Sequence, residues 1–169
     1  WHFAALARIQ PSFEDPILHE MVNVIGSINI IKAVIDNKIK AKIIFSSSSS
    51  VYGNNYPSKV GDAIDPINPY GLQKYTAERY LLQLGERYNI PVVALRYFNV
   101  YGKRSYNPEN KFNAYSSVIG IFLNQKINNK SLTVTGDGSQ KRDFIHVSDV
   151  ANANWLAAIS KVNGVFNVG

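Results

Sequence analysis

The chain alternates between short, uniformly apolar runs and longer stretches in which apolar residues return every three or four positions. The run Lys42 to Ser46 (KIIFS) is rich in branched residues and predicts a strand buried on both faces. Val92 to Phe98 (VVALRYF) and the closing GVFNVG read the same way, and WHFAAL reads as the exit of one more strand. Between them, Val24, Ile28, Ile31 and Ile35 keep the rhythm of an amphipathic helix over 17–37. A second helix is placed by its ends. Asn68 can cap it, Pro69 suits its first position, and Pro91 stops the segment, which predicts a helix over 70–88. Strands and helices alternating at this spacing predict an α/β fold, a parallel sheet with crossover helices. Beyond Asn99 the pattern loosens into a polar loop, a helix over 116–125, and a short strand over 132–135. A turn at Gly136-Asp137-Gly138 and a last helix over 148–160 follow.

Composition narrows the class. A length of 169 residues with 46% hydrophobic content suits one domain with a real core. The absence of cysteine removes disulfides, thiolate catalysis and Cys-ligated zinc, so no metal site is expected, and it fits a reducing, cytoplasmic setting. The net charge of +6 comes from scattered residues without a basic block, so no nucleic-acid partner is expected. No apolar run approaches the roughly 18 residues of a bilayer span, and no membrane association is expected. Trp1 opens directly on a strand exit and Gly169 closes on one, so the chain reads as a piece cut at both ends.

In open parallel sheets, ligands bind in the crevice beyond the C-terminal strand ends. Three segments should open there: HFAALA, SSSSSVYG and YFNVYG. Tyr70 and Lys74 lie one helical turn apart and share a face. They open a helix, whose positive end favours a phenolate. A free phenol has a pKa of about 10, too high for a base at neutral pH, and a nearby ammonium should pull it down. A serine hydroxyl from the preceding strand could then hold the oxygen whose proton moves.

HFAA, SSSSSVYG, PYGLQK, LRYFNVYG and GDGSQKRDFIHVSDV fall in the order and spacing of the extended short-chain dehydrogenase/reductase family, whose nucleotide-sugar 4-epimerase branch the chain resembles most. That resemblance implies a partial Rossmann-like, doubly wound parallel sheet plus part of a small C-terminal substrate-binding region. Residues 1–99 would be the C-terminal half of the dinucleotide-binding domain. Residues 100–169 would combine part of the nucleotide-sugar region with a returning Rossmann element. It also implies NAD as cofactor, a nucleotide-diphosphate sugar (a UDP-hexose of the glucose/galactose type) as substrate, and 4-epimerisation through transient oxidation at C4. A homodimer through 17–37 and 70–88 is implied as well.

Carried over by position, Tyr70 matches the catalytic tyrosine, Lys74 its lysine and Ser48 its serine, with Ser49 the alternative within the serine run. Phe3, Ala4, Ala5, Leu6 and Ala7 match a loop that touches NAD, Asn23 or its neighbour Val22 a further cofactor contact, and Ser46 and Ser47 the strand end beneath it. Tyr97 and Phe98 match residues flanking the nicotinamide, or else are core aromatics. Asn99 matches a diphosphate contact, and Ser117, Val118, Thr133, Val134 and Thr135 match uridine-side contacts. Arg142 matches a phosphate-binding arginine, with a surface ion pair as the other reading. His2 and His146 are expected to be structural, Asp143 and Asp149 to position loops and caps, and Tyr52 to pack near the site.

Two departures stand out. Gly120 occupies a position where many members have proline, and the glycine-rich pyrophosphate fingerprint would lie upstream of Trp1. Dehydratases and decarboxylases of the family carry acidic residues where this chain has Ser49-Ser50, which favours an epimerase. Other nucleotide-sugar oxidoreductases, and a catalytically idle NAD-binding protein on the same fold, are the remaining readings.

Overall fold

The structure, a computed structural model, describes residues 1–55, 58–103, 105 and 118–169. Its centre is a parallel sheet of β1 (Ile43–Ser48), β2 (Val92–Tyr97) and β5 (Gly164–Val168), in the order β1-β2-β5. Ser48 pairs with Tyr97, and Tyr97 with Val168, so the strands end level with one another. His2 adds a bridge to Phe45 on the outer edge of β1, through His2 N–H to the Ile44 carbonyl at 2.8 Å. The opening segment is thus strand-like only at that bridge.

One face of the sheet carries α3 (Gly26–Asp36) and α4 (Pro69–Tyr88), the other α6 (Val147–Ile159). Ile43, Phe45, Val92 and Ala94 pack with Ile31, Ala77 and Leu81 on the first face. Ile44, Val93 and Leu95 pack with Val150 and Ala157 on the second. Successive side chains of a strand point to opposite faces, so two apolar runs supply two cores.

The predicted helix over 17–37 is present as α2 (Pro16–Glu20), a π-helical turn (Met21–Ile25) and α3, preceded by the short α1 (Ile9–Glu14). By length and composition the stretch Pro16–Asp36, 21 residues, could cross a membrane, which corrects the expectation that no segment could. Its polar face explains the composition differently: His19, Asn23 and Ser27 are buried and hydrogen-bonded within the protein. Helix α4 begins and ends where the residues direct. The Asn68 side chain accepts from Gly71 N–H at 2.8 Å, Pro69 opens the helix, and Asn89 closes it in the left-handed conformation at φ 54°.

The later segment departs most from expectation. Helix α5 spans Val118–Ile127, and Leu132–Thr135 makes no strand. Those residues have no ladder partner among the described residues and are tied instead by the Gln125 side chain, which donates to Thr133 Oγ1 at 2.6 Å and accepts from Thr133 N–H at 3.1 Å. A strand without a neighbour leaves its backbone groups unpaired. A small parallel pair forms elsewhere, from β3 (Asn99–Tyr101) and β4 (Phe144–His146).

Candidate active site

Ser48 is the last residue of β1 and the cap of the 3-10 turn Ser49–Tyr52; its Oγ accepts from Ser50 N–H at 3.1 Å. The start of α4 is pressed onto that turn. A Cβ on Gly71 would stand 2.6 Å from the Ser50 carbonyl oxygen, so only glycine permits this approach directly after Tyr70. From the other side Ser12 of α1 accepts from Tyr70 N–H at 3.1 Å. Tyr70 is thereby held against Ser48, whose hydroxyl favours the phenolate by hydrogen bonding.

The groups of the chain by themselves do not lower the Tyr70 pKa. Burial raises its pKa above the ordinary tyrosine value and outweighs the Ser48 hydrogen bond. Lys74 stands one turn further along the same helix. Its Nζ lies 4.5 Å from the centre of the Phe45 ring, and it shares its helix face with Glu78 one turn further on. Lys74 is itself buried, which lowers its pKa to about 8, while Glu78 acts in the opposite direction.

The loop after the first strand is clamped by a residue of the π turn. Asn23 Oδ1 accepts from Leu6 N–H at 2.8 Å and its Nδ2 donates to the Leu6 carbonyl at 3.1 Å and to Gln73 Oε1 at 3.2 Å. Asn23 lies within the π-helical turn Met21–Ile25, and π-bulges are frequent at functional sites. Phe3, Ala4 and Ala7 are exposed around the clamp and Ala5 and Leu6 half-buried. His2 anchors the loop's start: Ser27 Oγ donates to the Asn23 carbonyl at 2.6 Å, so the 2.8 Å contact to His2 has Nε2–H as donor. Burial and then the charge of Lys74 lower the His2 pKa to about 4, so this structural histidine is neutral. Arg8, which follows the loop, has its Nη1 buried without a hydrogen-bond partner among the described residues.

Ser46 and Ser47 diverge. Ser47 is buried on the α4 face and donates to Glu78 Oε2 at 2.6 Å. Ser46 lies on the α6 face, where its hydroxyl and Asn154 hydrogen-bond the Tyr97 phenol, with Asn154 Nδ2 donating to the phenol oxygen at 2.7 Å. Burial raises the Tyr97 pKa above the ordinary value against those bonds. A cleft of about 360 Å³ opens at the C-terminal strand ends, with Ser49, Ser50, Asn68, Phe98, Asn99 and Arg142 in its wall. Asn99 donates through Nδ2 to the Asp143 carbonyl at 2.8 Å. A larger hollow of about 510 Å³, lined by Lys38, Lys40 and Lys42, lies at the opposite ends of β1 and β2, away from Tyr70.

The fold therefore gathers Ser48, Tyr70, Lys74, the loop 3–7 and Asn23 at one edge, with Phe98, Asn99 and Arg142 around the adjoining cleft. It does not bring the remaining positions there. Val118 opens α5 and is 40% exposed, Val134 is 63% exposed, and Thr133 and Thr135 hold Gln125 and Gln140. Ser117 lies outside the described residues. Sequence reasoning missed Glu78, Arg96 and Asn154. The first two are visible in the sequence as charges inside apolar patterns, at a helix core position and in the run VVALRYF.

The profile of the NAD dependent epimerase/dehydratase family matches residues 1–169. The chain belongs to that family. A UDP-glucose 4-epimerase from Halalkalibacterium halodurans is 34% identical over 188 residues, which cover 99% of this chain and 54% of the relative. The UDP-N-acetylglucosamine 4-epimerase of Methanobrevibacter ruminantium, solved with UDP-N-acetylmuramic acid, superposes with a TM-score of 0.90 at 44% identity, over 99% of this chain and 53% of that one. The Thermotoga maritima UDP-glucose 4-epimerase, solved with UDP-glucose, gives 0.89 at 35% identity, over 99% and 54%. A UDP-N-acetyl-alpha-D-glucosaminuronate decarboxylase from Bacillus cytotoxicus is also 34% identical, so the likeness extends to other reactions on nucleotide sugars. The chain spans about half the length of the curated relatives it matches.

Proposed function

We propose that the whole protein is an NAD-dependent 4-epimerase of a UDP-hexose, with Tyr70 as the acid/base, Ser48 holding the reacting oxygen and Lys74 supplying charge beside them. The single observation that carries this reading is the docking of the Tyr70 end of α4 onto the serine turn, with Gly71 against Ser50 and Lys74 buried one turn behind. Arg8 Nη1, a buried donor without an acceptor among the described residues, fits an anionic ligand beside the loop 3–7, and that loop with Lys74 would hold NAD. The chemistry NAD supplies when bound is reversible hydride acceptance from C4 of the sugar.

Tyr70 takes the proton of the 4-hydroxyl at its phenolate oxygen and returns it after the 4-keto sugar has presented its other face, so each turnover is proton-neutral. Because burial raises the Tyr70 pKa, the phenolate needs positive charge beyond what the chain's own groups provide. An oxidised nicotinamide carries such a charge. Phe98, Asn99 and Arg142 are the candidate walls of the sugar-diphosphate cleft.

Ser49 and Ser50 in the cleft wall favour epimerisation over dehydration, which needs a second acid/base there. A dimer through 17–37 and 70–88 accords with the exposed Ile17, Met21 and Leu72, which border a shared apolar hollow of about 360 Å³. The test is interconversion of UDP-glucose and UDP-galactose by the whole protein, alongside UDP-N-acetylglucosamine and UDP-glucuronate. Replacing Tyr70 by Phe should cut turnover by about 10²–10⁴-fold with the fold intact. Unchanged turnover in that variant refutes the assignment, and bound NAD with no turnover of any of these sugars favours an idle binding protein.

A further inference from the structure

We infer that Glu78 is a positioning residue for the proton-transfer pair, its buried carboxylate locking α4 to the serine strand and holding Lys74 as a cation. The inference rests on the roles given to Tyr70 and Lys74 above.

Glu78 is 1% exposed and both of its oxygens are taken. Oε2 accepts from Ser47 Oγ at 2.6 Å and from Arg96 Nε at 3.0 Å, and Oε1 accepts from Arg96 Nη2 at 2.6 Å. Arg96 Nη1 donates to the Tyr52 phenol at 2.8 Å, which donates to Asn167 Oδ1 at 2.7 Å. One carboxylate thus ties α4 to β1 and β2 directly, and to the 3-10 turn and β5 through Arg96. Ser47 precedes Ser48, and Arg96 precedes Tyr97 and Phe98.

Stability alone does not explain such a pair, because well-packed apolar residues often replace a buried ion pair at no loss. Lys74 supplies the better reason. It sits one turn before Glu78, 3% exposed, where desolvation disfavours its charge.

Among the described titratable groups around it, Glu78 is the one whose charge supports it. His2 on the entering segment is neutral, and Tyr70 is on its own helix. Arg96 of β2 is bound to Glu78, and Tyr52 of the 3-10 turn is bound to Arg96. From α1 and α2 come the exposed Glu14 and Glu20 and the buried His19, whose Nδ1 meets the Asp15 carbonyl oxygen at 2.9 Å. From α3 come Lys32 and Asp36, exposed and paired with each other at 2.6 Å. Among the described charged groups Glu78 favours the charged form of Lys74, beside the Phe45 ring that faces the ammonium at 4.5 Å, and burial lowers the Lys74 pKa to about 8 even so.

The experiment follows the Lys74 side chain by NMR through a pH titration of the whole protein, as wild type, E78Q and the double variant E78Q/R96M, with turnover measured over the same range. Both variants should titrate Lys74 about one pH unit lower, and the alkaline fall of turnover should move with it. A role confined to folding would lower the melting temperature and leave that midpoint in place, so an unmoved midpoint in a folded variant overturns the inference. E78Q leaves Arg96 buried and unpaired, so if it does not fold the double variant decides. A double variant that fails to fold as well assigns the network to folding alone and also overturns the inference. If the wild type turns over no nucleotide sugar while the Lys74 midpoint still shifts, the proposed reaction falls and the electrostatic role of Glu78 stands.

Discussion

The two faces of the central sheet are built from the same strands and yet differ in kind. Toward α4, Phe45 and Ser47 of β1 and Arg96 of β2 meet Lys74 and Glu78, so three ionisable side chains are buried there. Toward α6, Ile44, Ser46, Leu95 and Tyr97 meet Val150, Ala157 and Asn154, and the polar contacts are neutral. Buried charge is costly and neutral hydrogen bonds are cheap. The face that carries the cost is the one that presents Tyr70 to the serine turn. The contrast marks the candidate site by the cost of its buried charges rather than by cavity size, since a hollow of about 510 Å³ lies at the other end of the strands.

That contrast can be broken in graded steps. The largest effect on stability is expected from Arg96→Met alone, which strands Glu78 without its partner. Unfolding in denaturant should show a loss of about 3–5 kcal/mol. A loss under 1 kcal/mol would mean that the charged face is no more demanding than the neutral one.

Lys74→Met should act in the opposite direction. The Lys74 pKa is lowered to about 8 from 10.5, so between those values the unfolded chain binds more protons and stability rises with pH. Below about pH 8 the buried charge opposes folding, and removing it should add about 1–3 kcal/mol at pH 7 while turnover is lost. A destabilised Lys74→Met would show that the ammonium is a structural asset. On the neutral face, Tyr97→Phe removes only the bonds to Asn154 and Ser46, and a loss of about 1 kcal/mol is expected in the same assay.

A pH dependence completes the series. His2 is held neutral with its pKa lowered to about 4 from 6.5, so the unfolded chain takes up its proton first. Its contribution is complete above pH 6.5 and is lost as pH falls from there toward 4. Comparing melting temperatures of wild type and His2→Gln across that window should show the two curves converging at the acid end. Parallel curves would place the acid sensitivity elsewhere.

Much of this framework was open to reading along the chain. The start of α4 follows from Asn68 and Pro69, and its end from Asn89 and Pro91, because capping and proline geometry act over a few residues. The strands announce themselves as branched apolar runs, and alternation with helices dictates parallel pairing. The candidate residues Ser48, Tyr70 and Lys74 come from motif order and helical spacing, and the fold brings them to one edge. The strand expected over 132–135 failed because a strand exists only with a neighbour, which local pattern does not reveal.

Partnership across distance was decided by tertiary structure alone. Tyr52 and Asn167, Glu78 and Arg96, and Asn23 and Leu6 meet only once the sheet and its helices have assembled. The direction of the Tyr70 shift belongs to the same class. A helix places an ammonium one turn away, but the burial that folding imposes raises the Tyr70 pKa against the Ser48 hydrogen bond. Local sequence sets backbone shape through short-range sterics and hydrogen bonds, whereas charge states depend on the solvent and partners that folding removes or supplies.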